Sequence, residues 1–217
     1  ADSFIWAVAT AAYQIEGGFE DDGRGRSLWD AIRREEGRIK DGSHHSLSVE
    51  GRYKWKEDVQ LIKDLGVSHY RFSVDWCRVM HDERTRNTEG MNYYKQLCKE
   101  LHLHGIKCIV TLFHADIPLR LYEEGSFLRE GIVQDFTNFA RYCFEELGEW
   151  VSHWFTFNEP RMHVWSGIVK VHGEPYHNLN LDYQKFVGNI PLENALLIAT
   201  RHILLSHASV YHLFHDE

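Results

Sequence analysis

Four times in succession, this chain places a short β-forming run ahead of an amphipathic stretch. The runs are FIWAVAT at 4–10, HYRFSVDW at 69–76, IKCIVTLF at 106–113 and VSHWFTF at 151–157. Behind the first, after a long loop, residues 53–65 carry Trp55, Val59, Ile62 and Leu65 at helical spacing, closed by Gly66. A second helix is expected over 90–103, with Met91, Tyr94, Leu97, Cys98 and Leu101 on one face and Gly105 at its end. A third covers 130–147, with Ile132, Phe136, Phe139, Cys143 and Leu147 inward, and a fourth runs from Pro191 to about Leu213. The 106–113 run is almost continuous in apolar and β-branched residues, as in strands covered on both faces of a parallel sheet. Repeated βα units of this kind predict an α/β fold with a parallel sheet and helices outside it.

A plain eight-unit barrel takes about 250 residues. Four units already occupy these 217 residues, so the loops between strands and helices are long. The longest run between Trp6 and Trp55 and between His163 and Asn189. No linker, repeat or low-complexity segment interrupts them, and residues 1–217 read as a single unit.

The charge balance, 24 Lys+Arg against 32 Asp+Glu, leaves no basic surface for nucleic acid. No apolar run reaches the roughly 20 residues of a membrane span, and the opening segment has no basic n-region and apolar h-region. With no Asn-x-Ser/Thr sequon, the expectation is a soluble protein, cytoplasmic if anything. The chain does not start with Met, as expected of a processed, trimmed or partly recorded chain. Cys77, Cys98, Cys108 and Cys143 are scattered and read as buried small hydrophobes. The pairs His44-His45 and His102-x-His104 lack the spacing that puts two ligands on one helix face, so no metal and no cofactor is expected. Aromatics at 13% either stack on sugars or fill the core.

The motifs narrow this further. Residues 4–17 read FIWAVATAAYQIEG, 22–30 read DGRGRSLWD, 70–76 read YRFSVDW, 110–118 read VTLFHADIP and 155–160 read FTFNEP. Together they resemble family-1 glycoside hydrolases, the β-glucosidase family, across nearly the whole chain. The resemblance implies the first four βα units of a (β/α)8 TIM barrel, a half-barrel in these residues. It also implies retaining hydrolysis of a β-glycoside.

It assigns Gln14 and His114 to sugar binding, Asn158 to the sugar 2-hydroxyl, and Glu159 to the acid/base role. Such chemistry needs a carboxylic acid that protonates the leaving oxygen and later activates water. A glutamate ending a buried strand suits it, because desolvation keeps the proton on. Arg71 would hold the family's nucleophile, a two-pronged donor suited to a carboxylate; a structural ion pair explains it equally well.

The family's nucleophile segment, close to Thr-Glu-Asn-Gly on the seventh strand, does not occur here. Glu89 precedes the second helix and Glu193 opens the last one, so neither ends a strand. Several positions depart from the family pattern. Ala115 follows His114 in place of an aromatic, and Arg161 follows Pro160 in place of Trp. Gly125-Ser126-Phe127 replaces Gly-Gly-Trp, His172-Gly-Glu-Pro175 replaces His-Ala-Pro-Gly, and Val49-Glu50 replaces Cys-Asp.

Two functions follow. One is a β-glycosidase completed by the rest of a barrel. The other is a non-catalytic half-barrel that binds glycans or serves in assembly. In either case open sheet edges favour self-association or a second chain. Two copies pairing strand four with strand one would bring His114 and Asp116 near the nucleophile's place.

Overall fold

In the computed structural model, residues 4–33, 48–81, 85–168 and 182–216 are described. The His44-His45 pair and the departure at 172–175 lie outside them. In chain order the elements are β1 (Ala7–Ala9), α1 (Ala12–Ile15), α2 (Leu28–Ile32), α3 (Gly51–Asp64), β2 (His69–Ser73), α4 (Trp76–Val79), α5 (Thr88–Leu103) and β3 (Lys107–Phe113). There follow α6 (Leu119–Glu123), a 3-10 turn over Ser126–Leu128, α7 (Ile132–Leu147), β4 (Val151–Phe157), α8 (Pro160–Ile168), α9 (Gln184–Val187) and α10 (Leu192–Asp216).

The strands form one parallel sheet in the order β1-β2-β3-β4. Parallel neighbours cannot be joined by tight turns, so each strand is joined to the next by a crossover carrying a helix. The expected strands and helices all form, with boundaries moved by a few residues for local reasons. The first long helix starts at Gly51, because Glu50 takes a left-handed φ of 61° and a side chain on Gly51 would stand 3.0 Å from the Ile15 carbonyl. The second starts at Thr88 because the Asn87 side chain caps it through the Gly90 amide.

One face of the sheet packs against α3, α5, α7 and α10 in a continuous apolar core. Trp76 lies at its centre, stacked on Phe139 at 4.9 Å and edge-on to Phe136 at 5.7 Å. All four cysteines are buried and unpaired, as their scatter implied. No described helix is long and apolar enough to cross a membrane.

The other face differs along the sheet. On β3 every residue after Lys107 is buried, but among the described residues β1 and β4 have a neighbour on one side alone. Alternation along β4 sends Trp154 to Phe144 on the helical side and leaves His153 and Phe155 exposed, Phe155 by 47%. The fourth strand is therefore not the buried strand expected. Of its residues only Phe157, at the end, is buried, because no described element covers its outer edge.

A buried polar network fastens the long first loop beneath the strand ends. Arg24 donates to Asp75 at 2.5 Å and to Asp30 at 2.6 Å. Arg78 reaches Glu16 at 3.1 Å and the Gly17 carbonyl at 2.8 Å, while the Tyr94 hydroxyl donates to Glu16 at 2.7 Å. Both arginine side chains are fully buried, so their charges require these partners.

The start of α5 leans on the same arginine. A Cβ on Gly90 would lie 2.1 Å from the Arg78 carbonyl oxygen. Gly90→Ala must push α5 off that backbone, and we expect a loss of about 1–3 kcal/mol. It would be read as a lower urea midpoint at unchanged slope; an unmoved midpoint would show that the contact can relax.

Candidate active site

All four strands are parallel, so their carboxyl ends share one edge of the sheet, where barrels of this kind carry their chemistry. The sequence-derived residues fall there. Gln14 lies on α1 just past β1 and is exposed. Arg71 is in β2, His114 follows β3, and Asn158 and Glu159 follow β4.

Three of these are joined directly. The Arg71 guanidinium donates through Nε to Thr111 Oγ1 at 2.8 Å and through Nη2 to Asn158 Oδ1 at 2.9 Å. Asn158 Nδ2 in turn lies 3.2 Å from His114 Nε2. An amide NH2 can only donate, so the network assigns His114 a bare Nε2 and a proton on Nδ1. Burial lowers the His114 pKa, the Arg71 charge lowers it further, and Glu159 works against both. The neutral ring that the hydrogen bond requires is therefore also favoured over the charged one.

Arg71 also lies over the Phe155 ring, its central carbon 4.9 Å from the ring centre. Among the described residues it pairs with no carboxylate. Its charge is held by neutral partners at the open face of the sheet.

Asn158 is fixed at every polar atom. Its amide donates to the Phe113 carbonyl at 2.9 Å, and its own carbonyl accepts from His163 Nε2 at 2.6 Å. Immediately after it, Glu159 turns the chain with a left-handed φ of 46°, and Pro160 opens α8. Glu159 is exposed, so the burial expected to hold its proton is absent from the described residues. The reason is the uncovered edge of β4.

His114 is supported from the first loop. Trp29 Nε1 donates to the Ala115 carbonyl at 2.7 Å, and Ala115 has a left-handed φ of 72°. Backbone bonds from Leu28 to Ile117 (3.0 Å) and from Leu119 to Arg26 (2.8 Å) pair the two loops. Asp116 is fully buried, and burial with the nearby Asp75 charge raises its pKa well above the carboxylate range.

Sequence reasoning missed Thr111, Trp29 and His163, and it did not foresee the Arg24 and Arg78 pairs. A charge inside the apolar run Trp76-Cys77-Arg78-Val79 was a signal for one of them. Nothing in the local pattern marks His163, five residues beyond Asn158 on a different element.

Comparison with known proteins places this arrangement. The family model for glycosyl hydrolase family 1 matches residues 1–217. Raucaffricine-O-beta-D-glucosidase of Rauvolfia serpentina is 46% identical over 162 residues, 72% of this chain and 30% of that protein. The crystal structure of the GH1 beta-glucosidase from Exiguobacterium antarcticum B7 superposes with a TM-score of 0.86 at 35% identity, covering 98% of this chain and 45% of that one. A rice beta-glucosidase gives a TM-score of 0.88 at 30% identity, covering 100% and 46%. The chain thus spans less than half the length of these relatives.

Burial drives the His163 imidazole pKa from 6.5 down to about 4. Between those values the unfolded chain binds the extra proton and the folded one does not. Stability from this group is therefore full above about 6.5 and is lost as pH falls toward 4. His163→Phe should remove that component. As pH falls from about 6.5 toward 4, the urea midpoint of the parent should fall relative to that of His163→Phe; a constant difference would contradict the neutral, buried imidazole.

Proposed function

Because this chain belongs to glycosyl hydrolase family 1, we propose that it is the N-terminal half of a retaining β-glycosidase barrel, of β-glucosidase type, with Glu159 as the acid/base. The observation that carries this reading is the linked set Arg71–Asn158–His114 at the carboxyl ends of β2, β3 and β4, with Glu159 next in chain.

In this reading the carboxyl group of Glu159 protonates the glycosidic oxygen as the bond to the anomeric carbon breaks. As a carboxylate it then takes a proton from the water that releases the sugar. Asn158 has a second Nδ2–H beyond the one given to His114, free in number to meet the sugar 2-hydroxyl. His114 offers Nδ1–H, and Gln14 offers an amide at the end of β1; both are assigned to sugar hydroxyls.

Arg71 is assigned to the nucleophile, a carboxylate about 5–5.5 Å from the acid/base in retaining enzymes. That carboxylate is expected outside these 217 residues, on the part of the barrel that also covers the β4 edge. The open faces of β1 and β4 support completion by that part, by a second chain or by self-association. Covering β4 would desolvate Glu159 and favour its protonated form. Residues 1–217 are taken as one unit in this scheme.

A second reading, a non-catalytic half-barrel that binds glycans or serves in assembly, draws on Ala115 and Arg161. They stand where the family has aromatics, so less ring surface is offered to a sugar.

The decisive experiment pairs native mass spectrometry with hydrolysis of an aryl β-glucoside by this chain and by the completed barrel. The first reading expects turnover with retained anomeric configuration, and a loss in Glu159→Gln of about 100-fold or more. Turnover that ignores Glu159→Gln would remove Glu159 from the chemistry. Sugar binding without turnover in the completed barrel would favour the second reading.

A further inference from the structure

We propose that His163 is a positioning residue, which aims the Glu159 carboxyl by holding the peptide between Asn158 and Glu159 in place. The inference rests on the acid/base reading of Glu159.

The backbone at Glu159 is held against its own preferences. A left-handed φ costs a residue with a side chain about 1–2 kcal/mol. A following proline biases the residue before it toward extended conformations, not this one. Glu159 nevertheless has φ 46° directly before Pro160. Such a conformation persists only where the surroundings fix the peptides on both sides.

Two contacts do so here. The Glu159 carbonyl accepts from the Met162 amide at 2.9 Å, which is the first turn of α8. The preceding carbonyl, that of Asn158, accepts from His163 Nε2 at 2.6 Å. The second contact is not part of any helical ladder. It is made by a side chain from the second turn of α8 reaching back to the end of β4.

The imidazole is itself immobilised, edge-on to Phe113 with 4.8 Å between ring centres and a 73° tilt. Phe113 is the last residue of β3, and its carbonyl receives the Asn158 amide. The ring and the peptide it holds are thus referenced to the same strand. A carbonyl oxygen only accepts, so Nε2 carries the proton. Burial keeps the ring neutral with Nδ1 bare, and a second proton would go to Nδ1, leaving the Nε2–H bond in place.

Removing this donor frees the Asn158 carbonyl and lets the strained turn relax. The carboxyl of Glu159 then moves relative to the Asn158 side chain, which remains tied to Arg71, and to His114, which is tied to Asn158. A displacement of about 1 Å in a catalytic group is worth on the order of 100-fold in rate.

The test uses His163→Phe, which keeps an aromatic ring on Phe113 but has no donor, and His163→Gln, whose amide can donate. In whichever form hydrolyses aryl β-glucoside, His163→Phe should lower kcat about 10- to 100-fold with KM nearly unchanged, and His163→Gln should recover most of it. In 15N-histidine NMR, the His163 ring should show a slowly exchanging Nε2–H and a bare Nδ1. Unchanged kcat in a folded His163→Phe, with Glu159→Gln inactive, would overturn the proposal and leave the acid/base reading standing. An Nδ1–H tautomer at His163 would overturn it without any assay. If Glu159→Gln is as active as the parent, or no form turns over, the acid/base reading fails, and the role of His163 in catalysis falls with it.

Discussion

A parallel strand cannot hand the chain to its neighbour by a tight turn, and this one constraint organises the molecule. Each of the three connections between successive strands is a return crossover that carries helix to one face of the sheet. Every carboxyl end is thereby delivered to the same edge. Arg71, His114 and Asn158, far apart in sequence, become hydrogen-bonded neighbours because their strands end together. The buried helical face supplies the apolar burial, with Trp76, Phe136 and Phe139 at its centre. The strand ends are left for polar work.

The polar groups are held in two tiers. Beneath the strand ends, Arg24 and Arg78 are buried against carboxylates from the first long loop and from the segment after β2. These charges could not be buried singly, so the pairing fixes where the loop sits. Above them, the loop uses Trp29 to hold the carbonyl of Ala115, and so the turn that carries His114. The nearer tier is neutral apart from Arg71: Thr111, Asn158, His114 and His163 exchange hydrogen bonds around it. A guanidinium with neutral partners keeps its attraction for a carboxylate, the property that the family's chemistry would use at this point.

The outer strands explain the largest difference between expectation and structure. An apolar run such as VSHWFTF reads as buried, and its composition carries no mark of being at an edge. Burial of a strand depends on what lies beside it and across from it. Here β4 has β3 on one side and no described element on the other. Phe155 and Glu159 are exposed for that reason and not because of their own chemistry. Asp116 is the opposite case, a carboxyl that looked available in the string and is fully enclosed in the fold.

The sequence by itself determined the α/β class, the order of the four βα units, the family, and the identity of the residues at the strand ends. Alternation of β-branched runs with helical periodicity is a local property, and motifs beside strand ends are contiguous in the chain, so both can be read from the string. Only the tertiary structure decided which side chains meet. The Arg71–Asn158–His114 linkage spans β2, β3 and β4, and the His163 bond returns from α8 to the end of β4. Such contacts follow from register and packing between elements, and burial follows from the neighbours a surface acquires; neither is written in the sequence near the residues concerned.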